Sequence, residues 1–551
     1  MEDNVSGIFR TRPPNPFPFS ESNIRWLRNC LSSCRKNHDV CNNYRQEAQS
    51  FGQPRYLLDL ASCGYGQVRL VELGKVVDFA ILSYCWGEKP QYKTTSENLK
   101  DHLTGFPLNN LPGTIQCAIK VTRALGLQYL WVDALCILQG DEKTIIDEVR
   151  TAHEYYARAA IVIGAASSEH SDADFLAPRD WSYRGYELPV RLIHGEDRTN
   201  CRLSLLERAF HKTPEPMDTR VWTFPEAKNA LCILRFESER VVWNCPQANH
   251  ADSDIGELHS PSQICFSTSP FDGSRFMLTN TGDDDPESHL ANWFKEVIMY
   301  STRDARAPID KLRAFDCIAP VVMAKTMGWD LSEYKAGLWM TDMPRQLLWC
   351  RDCHDEKHTV TSSSSEKLLM PSWSWASIQS PITWRDQNQL DWDGYTLRVV
   401  RCVEEKQLIV KGYVLDSFWD GQNMYSSGSR DNTERVPGRA SRPTARSRRL
   451  SSSAMSREDT WYQKGIQYAT WPIKVVWDTP LLPVRQNMRC LEVRSSVKTT
   501  SQPHNTGRSY GIILTRDGSS TSKRLGYFVF EHEGMNYNLL HQRRRRTIII
   551  Y

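Results

Sequence analysis

Residues 78–164 alternate short apolar runs with amphipathic helical stretches, and few folds accept that order. Phe79 to Ser83 is a short apolar run stopped by polar and glycine positions. Ile115, Ile119, Thr122 and Leu125 follow at near-helical spacing, and Gly126 is placed to end that helix. Tyr129 to Val132 is a second buried-type run, followed by Asp133. Ile145, Val149, Ala152 and Tyr156 form a second helical stripe, and Ala160 to Ile163 a third strand. Strands alternating with single helices predict βαβ units and a mainly parallel sheet in an α/β fold. In such sheets the chemistry gathers at the carboxyl ends of the strands. Here those ends carry Ser83-Tyr84-Cys85-Trp86-Gly87 and Asp133-Ala134-Leu135-Cys136.

Four blocks then carry a resemblance. They are Leu82-Ser83-Tyr84-Cys85-Trp86-Gly87, then Trp131-Val132-Asp133-Ala134-Leu135-Cys136-Ile137-Leu138-Gln139, then Glu148 with Tyr156, then Arg220-Val221-Trp222-Thr223-Phe224-Pro225-Glu226. In order and spacing the chain resembles the fungal heterokaryon-incompatibility (HET) domain family. The departures are Val221 for Gly, Pro225 for Gln, and Ala230 and Cys232 in place of the usual Ser and Arg. The resemblance implies fungal non-self recognition ending in programmed cell death, with other incompatibility proteins as partners.

The flanks divide by pattern. A length of 551 residues suggests two or three domains. Residues 1–75 read as a lead-in: a helix over Trp26 to Cys41, then a hairpin over Arg55–Leu60 and Gln67–Val71. Residues 76–250 read as the α/β domain, with 165–219 as an insertion and the runs Ala230–Phe236 and Val241–Trp243 as paired strands closing the sheet. Residues 280–380 read as a helical region rich in buried Trp and Leu. From 390 to 551 the pattern changes to short strands, which predicts a small β-rich module. Residues 425–459 interrupt it with Ser, Arg, Gly and Pro, a composition that buries too little to offset its ordering entropy. A solvated linker is the expected state there, and contact of its arginines with RNA or an acidic partner the alternative.

Composition narrows the functional classes. The formal net charge of +3 gives no strong nucleic-acid signal. The first residues lack a basic and apolar leader, and no run approaches 18 apolar residues, so neither secretion nor a membrane span is expected. Sixteen cysteines scattered among ordinary core positions fit reduced thiols and a cytoplasmic location. Cys30, Cys34, His38 and Cys41 lie close to one face of the first helix, and thiolate and imidazole are zinc ligands. One straight helix cannot wrap four ligands tetrahedrally, however, and the C-x2-C knuckle is absent, so a packed amphipathic helix without a metal is the expected state. The family pattern also places a Cys, a His and a Cys in this stretch. Cys85 and Cys136 stand at strand ends, where a nucleophile paired with His153 is conceivable, but buried thiols are usually inert. P-loop, GxGxxG, HExxH and GxSxG motifs are missing.

A second resemblance sharpens the chemistry. The HET domain is similar to the TIR domain, a flavodoxin-like fold in which a W-x-x-x-E turn supplies the glutamate of members that cleave NAD. Trp222 and Glu226 stand at that spacing after the third strand. Pro225 fits only if it sits in the first turn of a helix starting near Phe224. The resemblance implies that Glu226 is catalytic, with Ser83, Tyr84, Trp86, Gly87, Asp133 and Trp222 lining the site, NAD as substrate and no resident cofactor. It equally implies a non-catalytic alternative, an assembly module self-associating through the loop Ala134–Glu142.

Overall fold

The computed structural model describes residues 15–62, 64, 66–88, 92–179, 185–194, 197–206, 214–253, 286–317, 319–352, 370–384, 395–419, 424–427, 460–463, 466–470, 473–478, 486–498, 506–515, 521–533 and 545–551. Most of the expected linker 425–459 lies outside them. The chain divides into two compact units, Met1–Asp285 with Arg313–Thr326, and Pro286–Leu312 with Met327–Tyr551.

The first unit starts with helices α1 (Glu21–Asn37) and α2 (Asp39–Glu47). Ser20 caps α1 by accepting from the Asn23 amide, as an N-cap hydroxyl should. Strands β1 (Tyr56–Asp59), β2 (Gln67–Glu72) and β3 (Phe79–Ser83) follow. Next come α3 (Leu99–Thr104), β4 (Phe106–Pro107), α4 (Gly113–Ala124), β5 (Tyr129–Trp131), α5 (Asp133–Cys136), α6 (Glu142–Arg158) and β6 (Ile161–Gly164). A separate antiparallel hairpin, β7 (Gly185–His194) with β8 (Asp197–Leu206), stands in the expected insertion. Helix α7 (Thr223–Asn229) and strands β9 (Ile233–Phe236), β10 (Val241–Cys245) and β11 (Ala248–Ala251) complete the unit.

Nine of these strands form one sheet in the order β11-β10-β9-β6-β3-β5-β1-β2-β4. Its centre is parallel: β3 pairs with β5 on one side and β6 on the other, and β6 pairs with β9. All five residues of β3 are buried, as a parallel strand covered on both faces requires. The expected hairpin β1/β2 joins this same sheet, because β1 pairs antiparallel with β5. Antiparallel β10 and β11 close the other end, so the two runs at 230–243 pair as their spacing predicts. Ile115 and Ile119 of α4 and Tyr156 of α6 are buried in the core, on the stripes that the sequence marks.

One expectation fails. The stretch Trp26 to Cys41 is two helices, not one, and His38 stands between them in extended backbone (φ −102°, ψ 97°).

The second unit is mixed. Helices Pro286–Ser301, Asp310–Asp316 and Ala319–Met327 stand within residues 280–380, the last two lying partly in the first unit's segment. Beyond them short hairpins, Tyr334–Lys335 with Leu338–Trp339 and Trp349–Arg351 with Ile382–Trp384, replace helix. Gly337, at φ +90°, turns the first hairpin under the Trp375 ring, where a Cβ would stand 2.7 Å from the indole nitrogen. A four-stranded and an eight-stranded sheet follow, which is the β-rich module the sequence predicts. None of the described helices is long and apolar enough to cross a membrane.

Trp293, Trp339, Trp349, Trp373 and Trp375 are all fully buried in this unit. Arg524 lies against one of them, Trp349. Its guanidinium binds Asp478 at 2.9 Å, donates to the carbonyls of Leu347 (2.6 Å) and Trp349, and lies 3.5 Å from the Trp349 ring centroid. Neither side chain of the ion pair is more than 6% exposed. Arg524→Met strands the Asp478 carboxylate without its partner and should cost about 3–5 kcal/mol in denaturant melts. Replacing Asp478 by Leu in the same chain should return part of that loss, since the lone charge is then gone. A loss below about 1 kcal/mol for the single variant would show that the unit does not depend on this pair.

Candidate functional site

Parallel pairing decides where the candidate residues meet. Ser83 is the last residue of β3, and Asp133 opens the short helix directly after β5, so both stand at the same edge. Glu226 arrives on α7, which begins at Thr223, one residue from the expected start. Pro225 is the third residue of that helix, where an amide has no intrahelical acceptor and a proline costs no hydrogen bond. The Thr223 hydroxyl fastens the helix by donating to the carbonyls of Met217 (2.5 Å) and Arg220 (2.9 Å).

The Ser83 hydroxyl donates to Oε2 of Glu226. The Trp86 indole nitrogen donates to Oδ2 of Asp133 at 2.9 Å, and the Ala134 amide donates to Oδ1 at 2.6 Å. Tyr156 hydrogen-bonds Glu226, and the buried Tyr84 hydroxyl lies beside Asp133. Residues Trp86, Asp133, Trp222 and Glu226 are each only half-buried, so the group is within reach of solvent. Gly87, at φ +76°, passes so close to His170 that a Cβ would sit 2.5 Å from the histidine's own Cβ. No larger residue fits there.

Six of the seven expected site residues therefore gather at one strand edge. Trp222 is the N-cap of α7 and enters none of these hydrogen bonds. Two residues were missed as site members, Tyr156 and Arg220, which act electrostatically on Glu226. Both stand inside the four sequence blocks, and that was the available signal. Glu148, from the same block as Tyr156, instead accepts from Tyr155 at 2.9 Å.

The two carboxyls are held at different proton affinities. Burial pushes Glu226 up to about 8, Asp133's charge adding to the shift, while the Ser83 and Tyr156 hydrogen bonds and Arg220 oppose it. Burial pushes Asp133 up to about 6 against the hydrogen bonds from Ala134 and Trp86. Near neutral pH the pair thus holds one proton, mainly on Glu226. The cysteines offer no rival chemistry. Burial raises the Cys85 thiol to about 11 and the Cys136 thiol to about 12, so neither is a ready nucleophile. His153 is exposed on α6, with Nδ1 2.7 Å from the Arg150 carbonyl.

An α/β domain with two carboxyls, a serine and an indole at the carboxyl edge of a parallel sheet is the class of protein defined so far. Residues 79–226, from β3 into α7, match the family model described as Heterokaryon incompatibility protein (HET). Neither a curated protein nor a solved structure matches the chain.

The raised Glu226 carboxyl carries a stability signature. Its folded value of about 8 lies above the ordinary value of 4.5, so the folded state holds this proton more tightly than the unfolded chain. The stabilising proton is retained below about pH 4.5 and lost as pH rises through about 8. Glu226→Gln has no proton to lose. The variant should melt near wild type at pH 5 and several degrees above it at pH 8.5, by differential scanning calorimetry. Equal gaps at both pH values would mean that Glu226 is not held protonated.

Proposed function

We propose that the HET domain is a cell-death effector of non-self recognition that cleaves NAD between nicotinamide and ribose. The observation that carries this reading is the contact of Ser83 with Glu226 beside the Trp86–Asp133 pair, two carboxyls converging on one partly open edge. The likeness of the HET domain to TIR domains, read from Trp222 and Glu226, supplies the substrate class.

The chemistry suits carboxylates. When the bond between the ribose anomeric carbon and the pyridinium nitrogen breaks, its electron pair goes to nitrogen and neutral nicotinamide leaves. No acid is needed for that departure. Positive charge moves onto the ribose ring, where an ionised carboxyl stabilises it until water adds and gives up a proton. Asp133 is ionised at neutral pH, and a cationic pyridinium ring arriving beside Glu226 favours release of its proton. Ser83 and Tyr156 orient the Glu226 carboxyl, and Trp86, tied by its edge to Asp133, offers a fixed ring for stacking.

The assembly reading finds less support. Its loop, Ala134–Glu142, buries residues 134–137 within the unit's own core, with Leu138 and Gln139 half-buried and only Gly140 and Asp141 exposed among its residues of described burial.

Incubating the purified full chain with NAD and quantifying nicotinamide by chromatography tests the proposal. Nicotinamide should appear, faster at pH 8.5 than at pH 7 as Glu226 ionises. Glu226→Gln should lower the rate by about a hundredfold, corresponding to ~3 kcal/mol of lost charge stabilisation. A folded wild-type chain that releases no nicotinamide yet kills cells would end the catalytic reading and favour assembly.

A further inference from the structure

The break at His38 has a consequence at the opposite end of the first unit's sequence. Because α1 stops at Asn37 and α2 starts at Asp39, Cys34 and Cys41 approach His38 from two helices. The carboxyl end of β10 brings Cys245 to the same point, 207 residues along the chain from His38. One donor atom from each of Cys34, His38, Cys41 and Cys245 lies within 4.8 Å of all the others, and all four residues are buried. We propose that these residues form a structural zinc site, Cys3His, that clamps the N-terminal helix pair to the sheet.

The geometry fits a tetrahedral ion. With bonds of about 2.3 Å to sulfur and 2.0–2.1 Å to nitrogen, sulfur and nitrogen ligands stand about 3.5 Å apart and two sulfurs about 3.8 Å apart. His38 Nδ1 is 3.7 Å from Cys41 Sγ and 3.4 Å from Cys245 Sγ. Three thiolates with one imidazole are a borderline-soft set that selects zinc over magnesium or calcium. Four protein donors fill the coordination shell and leave no place for a reacting water, which marks a structural rather than a catalytic site. The bound set carries one net negative charge, and Arg45 supplies a guanidinium 3.9 Å from Cys34 Sγ. Cys30, which shares the helix face with Cys34 in the sequence, is outside the set, and β10 supplies the fourth donor instead.

The alternative is a cluster of packed thiols without an ion. Cys232 makes that alternative concrete, since its sulfur lies 3.3 Å from Cys34 Sγ although it is not among the four donors. Packing alone gives no reason for an imidazole nitrogen to face two sulfurs in a buried site. A metal does.

The helix pair has a second anchor that lets variants be examined folded. Asn23 of α1 donates to Asp252 Oδ2 at 3.3 Å, and Arg179 binds the same oxygen at 3.1 Å. The experiment measures metal in the full chain, purified under reducing conditions without a metal-affinity step, by plasma mass spectrometry. About one zinc per chain is expected. Replacing zinc with Co2+ should give the intense visible bands of tetrahedral thiolate cobalt, a readout independent of any activity. Cys41→Ser and Cys245→Ser should each lower zinc content at least tenfold and lower the melting temperature, while Cys232→Ser and Cys490→Ser, the latter in the second unit, keep zinc near one per chain. A folded wild-type chain that neither carries zinc nor develops the cobalt bands overturns the site. Loss of zinc in Cys232→Ser with retention in Cys245→Ser overturns this donor set.

Discussion

Placing β3 between two parallel neighbours is the constraint on which the first unit depends. Parallel strands point their carboxyl ends the same way, so Ser83 at the end of β3 and Asp133 after β5 arrive at one edge without any contact having to recruit them. Burial of β3 on both faces then removes water from the floor beneath that edge. The same burial raises both carboxyls, and it separates them, because Asp133 receives an indole and a backbone amide while Glu226 also feels the Asp133 charge. Fold and proton affinity are thus two results of one packing decision.

The clamp proposed at His38 belongs to the opposite kind of interaction. Nothing about a parallel sheet requires the N-terminal helices to lie where they do. Their position rests on side chains: Leu27 and Leu31 in the core, Asn23 on Asp252, and the four-donor cluster at the end of β10. A metal that binds only when residues 34–41 meet residue 245 couples its binding energy to formation of the whole sheet between them, since β10 is held through β9 to β6.

These two kinds of order explain what could be read from the residues alone. The βαβ alternation is a local period, and each strand and helix of residues 79–164 leaves its own pattern, so the parallel centre and the strand-end site were legible. The start of α7 was legible for the same reason, because Pro225 restricts its own backbone. The break at His38 was not. No glycine or proline marks it, helical spacing runs through it, and the partner that rewards it, Cys245, is 207 residues distant. Reading one straight helix there removed the geometric basis for a metal. Arg220 and Tyr156 were visible as residues of their motifs but not as electrostatic partners, because their effect depends on which way α6 and α7 face the sheet.

The second unit shows how far a charge can be drawn into a core once its partners are preassembled. Arg524 reaches the carbonyls of Leu347 and Trp349, the Trp349 ring and the Asp478 carboxylate at once. Those groups come from two segments far from Arg524 in sequence, at 347–349 and at 478, so no local pattern announces the network. A guanidinium suits the place because its planar fork satisfies several acceptors and stacks on an aromatic face together, which a lysine ammonium cannot do. Buried ion pairs of this sort contribute less to net stability than to the choice of one arrangement over others, since desolvation offsets much of their attraction. In this unit one buried side chain thereby ties three parts of the chain together. Tryptophans can repack; a four-partner arginine has one place to go.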